Sequence, residues 1–398
     1  MTTKLDKIFD SFSKKSIFKN KIVLQSNYTP ETIPHRNEQI KQIAAILAPS
    51  LRLERPSNLF LYGKTGTGKT LLMQYIKKQL LERAKKQKVN LSIISINCKL
   101  KKVADTEYRI LAELLRQLGE VVPATGLPSN QLYKRFVENI DKEKRLLILI
   151  LDEIDEAVER IGDKLLYNFT RLNSELSRTQ ISIIGISNNL TFLDNIDPRV
   201  KSSLGEEEIL FPPYNATELR DILRERAKEA FKEKIDEGVI AKCAAFAAKG
   251  HGDARRALDL LRVAGELAER ESKKIVSFEH IDKANEKIER DKILDFIATC
   301  PEHYKLVLQA IIQLAEKKEK FFTSEIYSVY RELCAKVKEE ERTQRRVGDI
   351  IREFSMQGLT DLRVISRGRY GRTDEIKLSI YPHIVVKAKE ILKESFNL

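Results

Sequence analysis

NLFLYGKTGTGKT, residues 58–70, decides the fold. A short β-forming apolar run enters a glycine-rich turn, and the amphipathic stretch LLMQYIKKQLLERAKK (71–86) follows. Gly63, Gly68, Lys69 and Thr70 occupy the fixed positions of G-x-x-x-x-G-K-[ST], with Lys64, Thr65, Gly66 and Thr67 between them. Glycines at these places let backbone N–H groups turn inward around phosphates, beside the positive end of a helix dipole. Lys69 is expected to reach the β- and γ-phosphates of ATP, and the Thr70 hydroxyl to ligate Mg²⁺.

Working outward, LLILILDEID (146–155) places Asp152 and Glu153 at the C-terminal end of a fully apolar strand, where ligands of open α/β sheets gather. Asp152 is expected in the Mg²⁺ shell, and Glu153 as the general base that polarises the attacking water. Further strand-like runs at 91–97 (LSIISIN), 181–186 (ISIIGI) and 207–211 (EEILF) alternate with helical stretches. Near-continuous apolar strands separated by helices predict a parallel sheet covered on both faces. Pro212–Pro213 ends the last strand, and from Tyr214 to about Arg290 the pattern is helical throughout, a small all-α domain. After Pro301 come three helices, near 303–316, 324–338 and 342–357, and a two-stranded hairpin, the order of a winged-helix domain.

Two polar residues have alternative readings. Asn188 follows the strand ISIIGIS and either sits beside the γ-phosphate and the lytic water or caps a turn. Arg255 begins a helix behind Asp253, a candidate N-cap, and either faces the nucleotide or pairs with Asp259 four residues on.

The chain has 398 residues and a formal net charge of +13, from 71 Lys+Arg against 58 Asp+Glu. Its longest uncharged apolar run is six residues, far short of a bilayer span, and its start has no signal-peptide pattern, so an intracellular protein is expected. Cys98, Cys243, Cys300 and Cys334 lie far apart, without C-x-x-C or paired histidines, which argues against a zinc site or a disulfide framework. Residues 1–21, 82–102 and 301–398 carry net charges of +4, +6 and +4, so the remainder is nearly neutral. That distribution suits a phosphate backbone as partner.

In the third C-terminal helix, Val347, Ile350, Ile351 and Phe354 form one apolar stripe. Arg342, Arg345 and Arg352 lie opposite it, flanked by Arg346. Such a face fits a DNA major groove, or is a solvated surface in which Asp349 pairs with Arg345 and Arg352. The strands DLRVIS (361–366) and DEIKLSI (374–380) bury Leu362, Val364, Ile376, Leu378 and Ile380 on the alternation rule. The tip between them, RGRYGRT, brings Arg367, Arg369, Tyr370 and Arg372, suited to a minor groove or to phosphates. A second basic stretch, KLKKVADTEYRILAELL (99–115), offers Lys99, Lys101, Lys102 and Arg109 for DNA, or is an ordinary surface helix.

The combination of HRNEQI (35–40), GKTGTGKT, LDEID, ISNN, DPRVKSSLGEEEILFPPY (197–214) and GDARRALDLL resembles the AAA+ ATPases of the initiator group. With the winged helix added, nearly the whole chain resembles the archaeal Orc/Cdc-type replication initiators. The charge distribution marks a basic N-terminal tail (1–25), and the resemblance implies an AAA+ α/β ATPase domain (26–213), a helical lid (214–294) and a winged-helix DNA-binding domain (295–398). It also implies that Asn188 is sensor 1, that Arg255 is sensor 2, and that Tyr214 and Arg226 contact nucleotide from the lid. By the same resemblance Ile33 to Arg36, including His35, lie near adenine, and the basic stretch 99–115 overlaps a DNA-contacting insertion. Arg199 sits in the box that can supply an arginine finger to a neighbour's ATP, or pairs with a nearby acid. The implied function is ATP-regulated binding of duplex origin DNA and loading of the replicative helicase, with slow, switch-like hydrolysis. Implied partners are origin DNA, the helicase and paralogous initiators, on chromosomal DNA in the cytoplasm. Two alternatives share the core: a Holliday-junction branch-migration motor and a clamp-loader-type subunit. The long C-terminal winged helix argues against the second.

Overall fold

In the computed structural model, residues 16–26, 28–100, 104, 106–123, 127–250, 252–366 and 372–396 are described. The chain divides into two units at Ile281/Asp282.

The first unit is built on five parallel strands, β1 (Leu59–Tyr62), β2 (Leu91–Asn97), β3 (Leu146–Asp152), β4 (Gln180–Ser187) and β5 (Glu207–Leu210), in the order β2-β3-β4-β1-β5. All seven residues of β3 are buried because both faces are covered. Leu147, Leu149 and Leu151 pack with α3 (Glu107–Gln117), α4 (Ser129–Ile140), α5 (Ile154–Ile161) and α6 (Lys164–Arg171). Leu146, Ile148 and Ile150 pack with α1 (Asn37–Leu47) and α2 (Lys69–Gln87). Successive side chains leave a strand on opposite faces, so a strand at the centre of two cores reads as an unbroken apolar run. The short helix α7 (Pro198–Leu204) precedes β5.

Three helices complete this unit, α8 (Ala216–Ala230), α9 (Glu237–Lys249) and α10 (Ala254–Arg270). A capping box starts α8: Asn215 Oδ1 accepts from the Glu218 backbone N–H, and the Glu218 carboxylate accepts from the Asn215 backbone N–H, both at 2.9 Å. On α9, Cys243, Ala244 and Ala247 are fully buried and let the neighbouring helix come close.

The expected basic tail is, over residues 16–26, a strap docked on these helices. Phe18 bridges Phe231 with ring centroids 4.8 Å apart, and Lys21 pairs with Glu266 at 2.9 Å. Val23 and Leu24 are almost completely buried. The lysines set the expectation, but Ile17, Phe18, Val23 and Leu24 set the position, because burying four large apolar side chains outweighs solvating the charges between them.

The helix α11 (Phe278–Thr299) leads into the second unit. There α12 (Glu302–Ala315), α13 (Thr323–Val337) and α14 (Gln344–Met356) pack around one core with a three-stranded antiparallel sheet. Its strands are β6 (Phe321–Phe322), β7 (Thr360–Ser366) and β8 (Arg372–Leu378), in the order β6-β8-β7. A final helix, α15 (Pro382–Phe396), which the sequence reading did not anticipate, adds Ile384, Ala388 and Leu392 to the buried residues.

Ile376 and Ile380 are buried as expected, and Leu362 and Leu378 partly so, but Val364 is 61% exposed. Its partner across the hairpin is Asp374, outward of the Leu362–Ile376 pair that reaches the core. Alternation fixes a side of the strand, not how far the core extends beneath it. The hairpin tip is also shorter than expected, since Arg372 already belongs to β8 and pairs with Ser366. No helix among the described residues is long and apolar enough to cross a membrane.

Candidate active site

The P-loop links β1 to α2. Gly66 and Gly68 have φ of +77° and +94°, the left-handed region that favours glycine. A Cβ on Gly66 would stand 1.8 Å from Asp253 Oδ1, so the loop needs glycine for its path and also for its contact with α10. Asp253 caps α10 by accepting from the backbone N–H of Arg255 and Arg256, and Ala254 N–H donates to Gly66 O at 3.2 Å. The start of α10 is thereby tied directly to the P-loop.

Lys69 opens α2 and is 5% exposed. Its Nζ donates to Gly63 O at 2.6 Å, Lys64 O at 2.9 Å and Asn188 Oδ1 at 2.9 Å. Burial pulls its pKa down to about 8, although the Asp152 carboxylate opposes this. The Thr70 hydroxyl donates to both Asp152 oxygens, at 3.1 and 3.0 Å. Asp152 is 9% exposed, and burial raises its pKa despite that hydrogen bond. Glu153 takes a left-handed backbone, φ 54° and ψ 47°, at a cost of about 1 kcal/mol for a non-glycine residue. In this conformation its carboxylate accepts from Asn188 Nδ2 at 3.2 Å and lies 3.9 Å from Lys99 Nζ. Asn188 therefore meets Lys69 with its carbonyl and Glu153 with its amide. Of the two sequence readings, turn cap or site residue, the side chain adopts the geometry of the second.

Beside the P-loop opens a cleft with about 940 Å³ of free space, its mouth included. Ile33, Gly66, Gly68, Thr70, Tyr214, Arg226 and Arg255 line it, each singled out from sequence, together with Gln25, Ser26 and Tyr28 of the strap and its continuation. Arg255 faces this cleft and leaves Asp259 to Arg262, which donates to it at 2.9 Å. Arg226 is 7% exposed and stacks over the Tyr28 ring at 4.8 Å, yet its Nη1 is buried without a partner among the described residues. Tyr28 was missed in sequence because its partner lies 198 positions away and no local motif links them.

His35 and Arg36 do not face the cleft. His35 Nε2 meets Asp221 at 3.2 Å. Arg36 is 2% exposed and sits behind the loop, donating to Thr67 O at 3.0 Å, His35 O at 3.1 Å and Pro212 O at 2.6 Å, with its guanidinium 3.8 Å from the Tyr214 ring centroid. It fastens the P-loop to the Pro-Pro-Tyr turn. The Arg199 guanidinium makes two hydrogen bonds to Asp197, at 3.0 and 2.8 Å, and lies over the Tyr167 ring. This pairing holds the Asp197 carboxyl down at about 2.

The residues fit a nucleotide with a divalent ion. A loop with glycines at Gly63, Gly66 and Gly68 surrounds a buried ammonium, a hydroxyl and a carboxylate lie in contact, and a buried guanidinium edge lines the adjoining cleft with no hydrogen-bond partner among the described residues. All four cysteines are free and buried, and no His/Cys/Asp/Glu group among the described residues has metal-ligating spacing.

In the second unit, Val347, Ile350, Ile351 and Phe354 of α14 are all buried, which turns the arginines outward. Arg352 meets Asp349 at 3.0 Å and Asp374 at 3.8 Å, whereas Arg342, Arg345 and Arg346 are exposed. Lys99 and Arg109 are exposed on the first unit, Arg109 on α3 opposite Ile110 and Leu114. Lys101, Lys102, Arg367, Arg369 and Tyr370 lie outside the described residues, as does the side chain of Arg372.

Three family models match the chain: an AAA domain over residues 52–192, the Cdc6 AAA+ ATPase-type lid domain over 220–286, and the CDC6 C-terminal winged helix domain over 295–388. The chain is 49% identical to the ORC1-type DNA replication protein of Thermococcus onnurineus, covering 99% of this chain and 95% of the relative. It is also 49% identical to ORC1-type DNA replication protein 1 of Archaeoglobus fulgidus, covering 98% and 94%. Among solved structures it superposes on the Aeropyrum pernix ORC1 protein in complex with DNA with a TM-score of 0.84 and 44% identity, covering 96% of this chain and 99% of that one. An AAA ATPase core, a Cdc6-type lid, a Cdc6-type winged helix and near-full-length identity agree, and the chain belongs to the family of archaeal ORC1-type DNA replication proteins.

Proposed function

We propose that the protein is an ATP-controlled initiator that grips duplex origin DNA with its winged helix and its basic 99–115 stretch, and that bound nucleotide sets its competence to recruit the replicative helicase. One observation carries the nucleotide half of this reading: a single amide, Asn188, contacts both the phosphate-binding Lys69 and the proposed base Glu153.

In this reading the P-loop N–H groups and Lys69 hold the phosphates. Thr70 and Asp152 would hold a Mg²⁺ ion, which when bound would neutralise charge building on the transferred phosphoryl group. Glu153 accepts the proton of the attacking water, and Asn188 sets the direction of that carboxylate. Arg255 and Arg226 bring the lid onto the nucleotide, so that binding is read as an angle between the lid and the sheet domain. The bonds from Arg199 to Asp197 occupy the guanidinium that a neighbour's nucleotide would need, which supports slow, switch-like turnover. A trans-acting role for Arg199 requires it to leave Asp197, for instance on a paralogous neighbour's nucleotide.

Footprinting on genomic DNA tests the reading. Protection of a discrete repeat-bearing site supports it, and sequence-blind binding to branched junctions favours the motor alternative. Lys69→Ala is expected to abolish ATP binding, and Glu153→Ala to bind ATP without turning it over. Normal hydrolysis in Glu153→Ala removes Glu153 as the base.

A further inference from the structure

At the opposite end of the sheet from the P-loop, the segments that lead into β1, β3 and β4 enclose a second cleft, with about 1140 Å³ of free space including its mouth. Its wall contains Arg55, Lys144, Arg145 and Arg178, the polar side chains of Asn173 and Thr179, and no acid. The arginines are held mainly by neutral carbonyls, which orient a guanidinium without cancelling its charge. Arg145 donates to Ile140 O at 3.1 Å and Asn139 O at 3.0 Å, Arg178 to Lys142 O at 2.9 Å, and Arg55 to Ile181 O at 3.0 Å. The nearby acids are committed elsewhere or lie outside the wall. Asp141 accepts the backbone N–H groups of Ser177, Arg178 and Thr179, Glu206 accepts from Asn58 N–H at 2.8 Å as well as from Arg55 at 3.3 Å, and Glu143 is exposed.

The cationic surface continues beyond the cleft. Helix α2 ends in Arg83, Lys85 and Lys86, followed by Lys88, and the turn after it reaches the cleft rim, where Asn90 Nδ2 donates to Lys144 O at 3.1 Å. This is the first half of the +6 segment, 82–102, and neither the nucleotide site nor the proposed DNA-contacting stretch at 99–115 uses it.

We infer that this cleft is a second anion site of the ATPase domain, built to take phosphate groups carrying two or more charges. The fixed guanidiniums match phosphate oxygens, and beside Arg55, whose charge Glu206 balances, Lys144, Arg145 and Arg178 present three cations with no acid among the described residues lining the wall, which suits a multivalent anion. The phosphates come either from a second stretch of nucleic-acid backbone or from a free polyphosphate.

The test uses full-length protein loaded with ADP, so that the P-loop is filled. Lys144→Gln with Arg178→Gln removes two exposed charges of the wall, and Lys228→Gln with Lys234→Gln removes two exposed lid charges as a matched control. If the site holds nucleic acid, the first pair lowers duplex affinity about three- to tenfold at low salt and reduces the slope of log K against log salt by about two, while the control does neither. Restoring charge with Lys144→Arg and Arg178→Lys then recovers the affinity. If the site holds a free polyphosphate, calorimetric binding of inorganic tripolyphosphate is lost in the first pair and duplex binding is unchanged. Unaltered binding of both probes, or an equal loss in the control pair, overturns the inference.

Discussion

Asn188 accepts a hydrogen bond from Lys69 at 2.9 Å, although the two residues lie 119 positions apart at the ends of different elements. Through the 3.2 Å bond from its amide to Glu153, the same side chain links the group proposed to bind phosphate to the carboxylate proposed to activate water. Replacing Asn188 by Ala is expected to leave ATP affinity within a few-fold of normal and to lower turnover on the order of 10²-fold, the scale of misplacing a catalytic group. Nucleotide titration and single-turnover hydrolysis on the same preparation separate the two effects.

Lys69 gives the site a pH dependence. Burial lowers its pKa in the folded protein from the usual 10.5 to about 8. Between those values the unfolded chain holds the extra proton, so the contribution of Lys69 to stability rises with pH. ATP affinity is expected to move the other way, because the ammonium proposed to meet phosphate is lost above pH 8. Titrations with a fluorescent nucleotide between pH 7 and 9.5 are expected to show flat affinity and then a decline approaching tenfold per pH unit; no decline places the charge on phosphate elsewhere.

Arg226 predicts effects of opposite sign on stability and binding. Its Nη1, buried with no hydrogen-bond partner among the described residues, is a cost in the protein alone, of order 1 kcal/mol, and a resource once an acceptor enters the cleft. Arg226→Met retains the bulk against Tyr28 and is expected to raise Tm in the absence of nucleotide while weakening nucleotide binding about tenfold.

The strap is held by packing rather than charge. A Cβ on Gly265 would come within 2.5 Å of the Phe18 ring, so the helix surface is shaped around that side chain. Phe18→Ala is expected to cost about 3 kcal/mol in denaturant unfolding. Lys21→Ala, which breaks a half-exposed ion pair with Glu266, is expected to cost less than about 1 kcal/mol.

On α14 the arginines are not equivalent. Arg352 is engaged by Asp349 and Asp374, whereas Arg345 is exposed and no acid among the described residues pairs with it. Arg345→Ala is expected to weaken duplex binding by about 1 kcal/mol and to reduce its salt slope by about one, with a smaller change in Arg352→Ala. Equal losses would mean that Arg352 leaves its acids when DNA binds.

The sequence by itself determined everything whose signal is local. The P-loop, the acidic pair after β3, the two-faced apolar strands and the buried stripe of α14 each depend on neighbours a few positions away, so spacing reports them. Whatever depends on distant groups was left to the tertiary structure. Arg36 looked like a nucleotide contact, but carbonyls 31 and 176 positions distant give its guanidinium a place in the interior. The strap over 16–26 reads as a charged tail until Phe231 and the notch at Gly265 exist to receive Phe18. Asn188, Arg255 and Arg352 each had two readings on sequence position alone, and Arg199 two by family resemblance. Packing chose among their partners, because a side chain's free energy is set by which polar groups the fold brings within about 3 Å of it.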